Sequence, residues 1–191
     1  MRLNHSIMHK KSGLYSAIIL LLASGLAIAD KSISALPTVV SNHWSTTTQL
    51  GEAKFSRFGI HIYDASLWSL SKDSDTTDSK HATALSIEYA RNIKADKLLS
   101  STLKQWRRLG FADQYPLEAW LKQLEKIWPN VRPGDRIIFV SKRDGSNSFY
   151  SNDQELGSIN DVEFNSAFLD IWLSPKAKYQ KHRKELLGET L

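Results

Sequence analysis

The stretch from Ser148 to Pro175, SFYSNDQELGSINDVEFNSAFLDIWLSP, constrains the fold more than any other part of the chain. Phe149 and Tyr150 lie on a predicted strand, Asn152-Asp153 predicts a tight turn, and residues 156–159 predict the next strand. A set of apolar residues then recurs at the spacing of one helical face: Phe164, Ala167, Phe168 and Ile171. This aromatic helix is expected to close a core, with Ile171 as an apolar wall of any adjoining cleft.

The chain before this stretch alternates between strand and helix signals. Residues 38–70 favour strands, including Val39-Val40 and a run from Ala53 in which Phe58, Ile60 and Ile62 alternate with other residues. A polar loop at 71–82 and a strand at 84–91 follow.

Two helices are predicted next, one over 98–109 that ends at Gly110 and one over 117–127 that ends before Pro129. Residues 137–140 predict a central strand, Asp144-Gly145 a hairpin turn, and residues 178–187 a last, basic helix. Asn160 and Glu163 resemble a capping box for the helix before it. The order predicts an α+β fold, an antiparallel sheet with helices on one face.

Residues 1–29 have the pattern of a secretory signal peptide, with a basic start, an apolar run from Leu14 to Ile28, and cleavage between Ala29 and Asp30. The apolar run is shorter than a bilayer span needs, so no membrane span is expected after cleavage. Residues 30–37 are interpreted as a flexible lead-in and 38–191 as the folded domain. The sequence therefore predicts export to the periplasm.

Charge and motifs exclude several function classes. Removal of Arg2, Lys10 and Lys11 with the leader lowers the net charge from +5 to +2, which gives no electrostatic case for nucleic acid. The chain has no cysteine, so it has no disulfide. It has no GxSxG, Walker or GxGxxG motif and no HExxH spacing, so we expect no cofactor and no metal. His61 and Asp64, at an odd separation on a strand, are predicted to point to opposite faces.

The tryptophans and the basic C-terminal segment are candidates for contacts with a ligand, a protein or a lipid. Trp106 and Trp120 fall on the apolar faces of helices and are predicted to be buried. Trp44 and Trp68 are candidates for lining a cleft or meeting a protein. The basic residues from Lys176 to Lys184 are either a solvated helix face or a contact for anionic lipid head groups.

Four segments of the chain carry a resemblance to a known family: GEAKFSRFGIHIYDASLW (51–68), WRRLGF (106–111), VRPGDRIIF (131–139) and FYSNDQELGSINDVEFNSAFLDIWLSP (149–175). Together they resemble the bacterial, exported branch of the chalcone isomerase-like family. The resemblance covers about residues 48 to 188. It implies an open-faced β-sandwich, a large antiparallel sheet with a helical layer, and a ligand cleft between the two.

The resemblance also implies which residues occupy the cleft. Plant members that close a flavanone ring use an arginine, a threonine, a tyrosine and an asparagine, with a Ser or Thr that helps select the substrate. In that order, the matching positions here are Phe55, Tyr63 (or Asp64 if the gap shifts by one), Lys94, Ser101 and Ile171, and a nearby lysine is kept as Lys97. No family catalytic position keeps its plant residue.

Phe55 replaces a permanent cation, which removes a bidentate clamp for anions. Loss of one preorganised oxyanion donor typically lowers a rate by about 10²–10³, so the resemblance implies that chalcone cyclisation is lost. Plant relatives without isomerase activity bind fatty acids and hold the carboxylate with the same arginine. A fatty-acid role here needs a substitute cation; the candidate ligand-binding residues are Arg57, Tyr63, Lys94, Lys97 and Ile171.

Three functions stay open from the sequence. The first is a non-catalytic protein that binds an apolar or fatty-acid-like ligand in the sheet–helix cleft. The second is an isomerase or intramolecular lyase for another substrate, with Tyr63, Lys97 or His61 as acid or base. The third is a protein-interaction module of the envelope that works through exposed Trp44, Trp68 or the basic tail.

Overall fold

The structure is a computed structural model of the 191-residue chain, and it describes residues 35–72, 82–152 and 154–189. The expected leader at 1–29, its cleavage position and most of the lead-in lie outside the described residues. Most of the loop expected at 71–82 and Asp153 of the Asn152-Asp153 turn also lie outside them.

Within the described residues, six strands form one antiparallel sheet in which neighbours along the chain are also neighbours in the sheet. They are β1 (Thr46–Arg57), β2 (Ile60–Ser71), β3 (Ala82–Tyr89), β4 (Arg136–Ser141), β5 (Asn147–Ser151) and β6 (Gln154–Gly157). The antiparallel sheet predicted from the sequence is therefore confirmed, with β1 and β6 at its edges.

The helices are α1 (Thr38–Ser41), α2 (Ala95–Leu109), α3 (Leu117–Ile127), α4 (Val162–Leu173) and α5 (Gln180–Leu186). The predicted end of α2 is confirmed, because Gly110 adopts the left-handed conformation (φ 86°) that favours glycine. The predicted cap of α4 is wrong by one residue. Asp161, not Asn160, caps this helix, and its side chain accepts a hydrogen bond from the Glu163 backbone N–H at 3.0 Å.

Apolar side chains form a core on each face of the sheet. On one face, α2, α3 and α4 bury Trp106, Trp120 and Phe164 against the strands, which confirms the predicted burial of both tryptophans. On the other face, residues 36–44 cover Leu70, Ile138 and their neighbours. Side-chain alternation along the strands produces the two faces.

Two predictions about the N-terminal part of this fold are wrong. Val39-Val40 lies in α1 rather than in a strand, because Pro37 precedes a helical turn that directs Val40 into the second core. Trp68 is 7% exposed in that core and donates a hydrogen bond to Ser66 Oγ at 2.9 Å. Trp44 is half-buried against the same core. Neither tryptophan offers the exposed surface expected of a protein-binding site.

The strand expected to run through Phe58 is instead a hairpin. Phe58 (φ 51°) and Gly59 (φ 75°) form a two-residue turn between β1 and β2, and positive φ at both positions matches the twist of the flanking strands. Phe58 and Ile60 are consequently exposed at the tip rather than half-buried on a strand.

A β-bulge in β2 shifts the pattern of side chains near this tip. Phe55 pairs with Tyr63 and Ser56 pairs with His61, so Ile62 is an extra residue in β2. The shift places His61 Nε2 3.1 Å from Asp64 Oδ1. The prediction that these two side chains point to opposite faces is wrong, because a bulge breaks the simple alternation on which it depended.

In the part of the chain that the structure describes, no helix is both long enough and apolar enough to cross a bilayer.

Candidate ligand-binding site

A cavity of about 420 Å³ lies between the sheet and the helices, beside Phe55 and Ile171. Its inner wall is apolar and comes from strands and from α2 and α4. The inner residues include Ile87, Ile93, Leu98, Trp128, Ile137 and Phe168. Both Ile62 and Tyr63 line it, which follows from the bulge that places an extra residue of β2 there.

Six of the seven residues named as altered family positions or as ligand-binding candidates line this one cavity. They are Phe55, Arg57, Tyr63, Lys97, Ser101 and Ile171. Lys94 is not among the lining residues, because it is the exposed residue that precedes the first turn of α2. The β1–β2 hairpin, α2 and α4 thus bring together residues that are far apart in the sequence.

Phe55, the residue that the resemblance matches to the plant arginine, is held in a cluster of rings. Its ring stacks on Tyr63 (centroids 4.9 Å apart, 19° between planes) and meets Tyr179 edge to face at 4.8 Å. The His182 ring lies 5.5 Å away. Side chains of β1, β2 and the α5 region therefore surround Phe55 with rings, and Phe55 itself has no donor for an anionic oxygen.

Tyr63 and Tyr89 are two of the three tyrosines that line the cavity. The Tyr63 hydroxyl accepts a hydrogen bond from Trp172 Nε1 at 3.2 Å. Burial raises the pKa of Tyr63 to about 12, and burial also raises the pKa of Tyr89. Both phenols are protonated at neutral pH, so each can donate a hydrogen bond to a ligand. Neither is a good general base at that pH.

Cations mark the place where the cavity reaches the surface. Arg57, Lys97, Lys104 and Lys178 line the cavity and are also exposed. Among the described residues that line it, none is Asp or Glu. The mouth is therefore positively charged while the interior is apolar, an arrangement that suits an amphipathic anion.

Helix α5 holds one wall in place through a close approach to β1. A Cβ at Gly51 would collide with the Glu185 carbonyl oxygen and lie 2.6 Å from the Leu186 carbonyl oxygen. Only glycine leaves room for the end of α5 at this point. The contact fixes the segment that carries Tyr179 and His182 over Phe55.

His61 does not reach this cavity. It is absent from the lining, and its Nε2 contacts Asp64, whose carboxylate also lies 4.0 Å from Lys54 Nζ. The structure therefore separates His61 from Tyr63 and Lys97, the other two acid–base candidates. Within the described ranges, no group of three or more His, Cys, Asp or Glu side chains is placed to hold a metal ion.

Sequence reasoning missed several lining residues. Trp172 carried a usable signal, since it follows Phe168 by four residues and their rings lie 5.3 Å apart on α4. Lys104 also carried a signal, because it follows Ser101 by three residues on α2 and therefore lies on the same side of that helix. No local signal links Tyr179 or His182 to Phe55, because that contact depends on how α5 packs on β1.

Comparison with known proteins places this chain in a family. Residues 50–188 match the family model described as chalcone isomerase-like, so the chain belongs to the chalcone isomerase-like family. A protein of Haemophilus influenzae described as uncharacterized is 27% identical over 148 residues, which cover 78% of this chain and 70% of that protein.

A solved structure supports the same fold. The crystal structure of a fatty-acid binding protein of Arabidopsis thaliana matches with a TM-score of 0.59 and 11% identity, over 75% of this chain and 87% of that chain. At this identity the likeness shows the fold alone. The α+β, open-faced architecture predicted from the sequence is thereby confirmed.

Proposed function

We propose that this protein binds one amphipathic, fatty-acid-like anion in the cavity beside Phe55 and does not cyclise chalcones. The observation that carries the proposal is an apolar cavity of about 420 Å³ with four cations and no described carboxylate in its lining. The volume lies in the usual range of small-molecule sites, roughly 300–1,000 Å³. The fold shared with a fatty-acid binding protein supports this class of ligand.

The lining suggests how such a ligand would lie. A hydrocarbon tail against Trp128, Ile137 and Phe168 gains about 0.8 kcal/mol for each buried methylene. A carboxylate at the mouth is attracted by Arg57 and Lys178 and can stay partly hydrated there. Under this proposal, charge at the mouth takes the place of the arginine that the resemblance assigns to the plant relatives.

Palmitate binding tests this proposal directly. Native mass spectrometry and calorimetry should detect one palmitate per chain, and Ile171→Trp should abolish binding because the larger ring fills the cavity. Ser166→Trp is the matched control, since Ser166 is exposed on α4 and does not line the cavity. Absence of palmitate binding by the wild-type protein, or equal binding by both variants, would contradict the proposal.

The absence of cyclisation has its own test. Phe55 carries no charge and donates no hydrogen bond, so it supplies no stabilisation to the oxyanion that develops during ring closure. Chalcone absorbance should decay at the spontaneous rate in the presence of the purified protein. Turnover well above that rate would overturn this half of the proposal.

We also propose that the chain is exported to the periplasm. The basic start, the apolar run and the small residues Ala27 and Ala29 support removal of residues 1–29. Intact-mass measurement on a periplasmic extract should find a chain that begins at Asp30. A protein recovered from the cytoplasm with residues 1–29 still attached would contradict export.

A further inference from the structure

The tip of the β1–β2 hairpin exposes large apolar side chains at a backbone position that disfavours them. Phe58 is 89% exposed and Ile60 is 48% exposed. Phe58 has φ 51°, a conformation in which Gly, Asn or Asp is normally found. An exposed aromatic ring in an unfavourable backbone conformation contributes little to the stability of the fold. A contact with a molecule outside the chain therefore accounts for it better.

The tip adjoins the mouth of the cavity. The Arg57 guanidinium carbon lies 5.1 Å from the centre of the Phe58 ring, and Arg57 itself lines the cavity. On the other side of the mouth, Tyr179 contacts Phe55 and lies 5.0 Å below Lys178 Nζ. Arg57, Phe58, Ile60, Lys178 and Tyr179 therefore form one surface, the mouth patch.

The charged side chains of the mouth patch itself have one sign. Neither residues 54–63 nor residues 174–184 contain Asp or Glu. Arg57 and Lys178 have no acidic partner among the described residues. Three other cations of these two segments are paired with carboxylates that lie just outside them: Lys54 with Asp64, Lys181 with Glu185 and Arg183 with Glu189. The patch thus combines exposed apolar side chains with uncompensated positive charge.

We propose that the mouth patch docks on a bilayer surface rich in anionic lipid, and that the cavity exchanges its ligand with that bilayer. Aromatic and aliphatic side chains enter the headgroup boundary while adjacent Arg and Lys attract anionic head groups. Docking in this orientation places the mouth against the lipid, which shortens the path of an apolar ligand through water. The exchange step rests on the proposed function, whereas the docking step does not.

Vesicle co-sedimentation tests docking with the full mature chain and no added ligand. The wild type should bind vesicles made of equal parts phosphatidylcholine and phosphatidylglycerol, bind pure phosphatidylcholine much less, and dissociate in high salt. Phe58→Gly should reduce binding about tenfold or more, because the ring no longer enters the boundary. Glycine suits the positive φ, so thermal melting should show a fold at least as stable as the wild type.

Val162→Ser is the matched control, since Val162 is also exposed but lies at the start of α4, outside the mouth patch. It should leave vesicle binding unchanged. Equal binding by Phe58→Gly and the wild type would overturn docking through the tip. A second outcome would also overturn docking: the wild type is a dimer that binds no vesicles, and Phe58→Gly is a monomer. The mouth patch would then be a self-association surface.

Palmitate binding without vesicles separates this inference from the proposed function. Phe58 does not line the cavity, so Phe58→Gly should bind palmitate in solution like the wild type while taking it up from labelled vesicles more slowly. A wild-type protein that binds palmitate but no vesicles refutes docking alone. One that binds vesicles but no palmitate refutes the proposed function and the exchange step that rests on it, and leaves docking standing.

Discussion

Aromatic side chains cluster at both ends of the helical layer. At one end, the filled end, they are packed without exposed surface, and at the other, the hollow end, they border the cavity. At the filled end, Trp106, Phe149 and Phe164 have no exposed surface. Polar groups there find partners within the protein: Trp106 Nε1 donates to the Ala167 carbonyl at 2.8 Å and Trp120 Nε1 to Asp161 Oδ2 at 2.9 Å. At the hollow end, the rings of Phe55 and Tyr63 stack but border open space.

The comparison teaches that aromatic density does not distinguish a core from a binding cavity. The difference lies in the polar groups beside the rings. At the hollow end these are the exposed cations Arg57 and Lys178, which line the cavity. At the filled end they are the indole N–H groups of Trp106 and Trp120, which donate hydrogen bonds within the protein. A ring cluster bordered by unpaired cations is therefore the better sign of a ligand site.

The sharpest test of this contrast compares two positions on α4. Phe164→Ala removes a fully buried ring at the filled end and should lower the free energy of unfolding by about 3–5 kcal/mol. Ile171→Ala enlarges a cavity that already exists and should cost only about 1–2 kcal/mol. Urea denaturation measures both changes. Equal losses would mean that the cavity wall is packed like the core.

The packing of α5 on β1 can be disturbed at Gly51, a residue that does not line the cavity. Gly51→Ala introduces a methyl group against the Glu185 and Leu186 carbonyls, so α5 must shift. We expect a loss of about 1–3 kcal/mol in unfolding free energy, together with weaker palmitate binding, because Tyr179 and His182 move away from Phe55.

Gly134→Ala is the control for this variant. Gly134 has φ 88° with open space around it, so alanine there strains the backbone by about 1 kcal/mol without moving α5. Palmitate affinity should stay at the wild-type value in this control. Normal affinity in Gly51→Ala as well would show that α5 does not form a necessary wall.

Alkaline pH should reveal the buried phenol of the hollow end. The pKa of Tyr63 is about 12 in the folded protein and near 10 when unfolded, so the folded state binds more protons in this window. The contribution of Tyr63 to stability is therefore unchanged below about pH 10 and falls as pH rises toward 12, by about 1 kcal/mol at pH 11. Tyr63→Phe should make this dependence shallower in denaturation curves, and the part that comes from Tyr89 and Tyr150, whose pKa values burial also raises, should remain. An unchanged slope would show that Tyr63 ionises freely in the folded protein.

The cations of the mouth should give the smallest effects. Arg57→Gln or Lys178→Gln should weaken palmitate binding about two- to fivefold, because interactions of exposed charges are worth less than about 1 kcal/mol. Binding of the neutral analogue hexadecanol should not change. Lys122→Gln on α3, exposed and away from the cavity, is the control. Equal losses for palmitate and hexadecanol would contradict a role for charge.

Much of the fold was predictable because its signals are local. Apolar periodicity with Gly110 and Pro129 placed α2 and α3, and alternation placed β3. The hairpin tip was missed because phenylalanine at Phe58 has the pattern of a strand and carries no turn signal. The bulge at Ile62, which depends on pairing between β1 and β2, reversed the expected relation of His61 to Asp64.

The candidate site was predictable only in part. The family resemblance singled out Phe55 and Ile171, and both line the cavity. It also singled out Lys94, which lies outside because the chain has not yet entered α2 at that point. Lys178 and Tyr179 were missed as cavity residues, because their neighbours in space are more than a hundred residues earlier in the chain.

The contact of Gly51 with Glu185 and Leu186 has a consequence for how the binding pocket forms during synthesis. β1 leaves the ribosome long before α5, so the cavity lacks the wall that carries Tyr179 and His182 until residues 180–186 have been made. Closing so long a loop is slow compared with forming α2 or α3. The cavity is therefore completed after the central helices have formed, and the ligand proposed above would find all of its walls only once α5 has packed on β1.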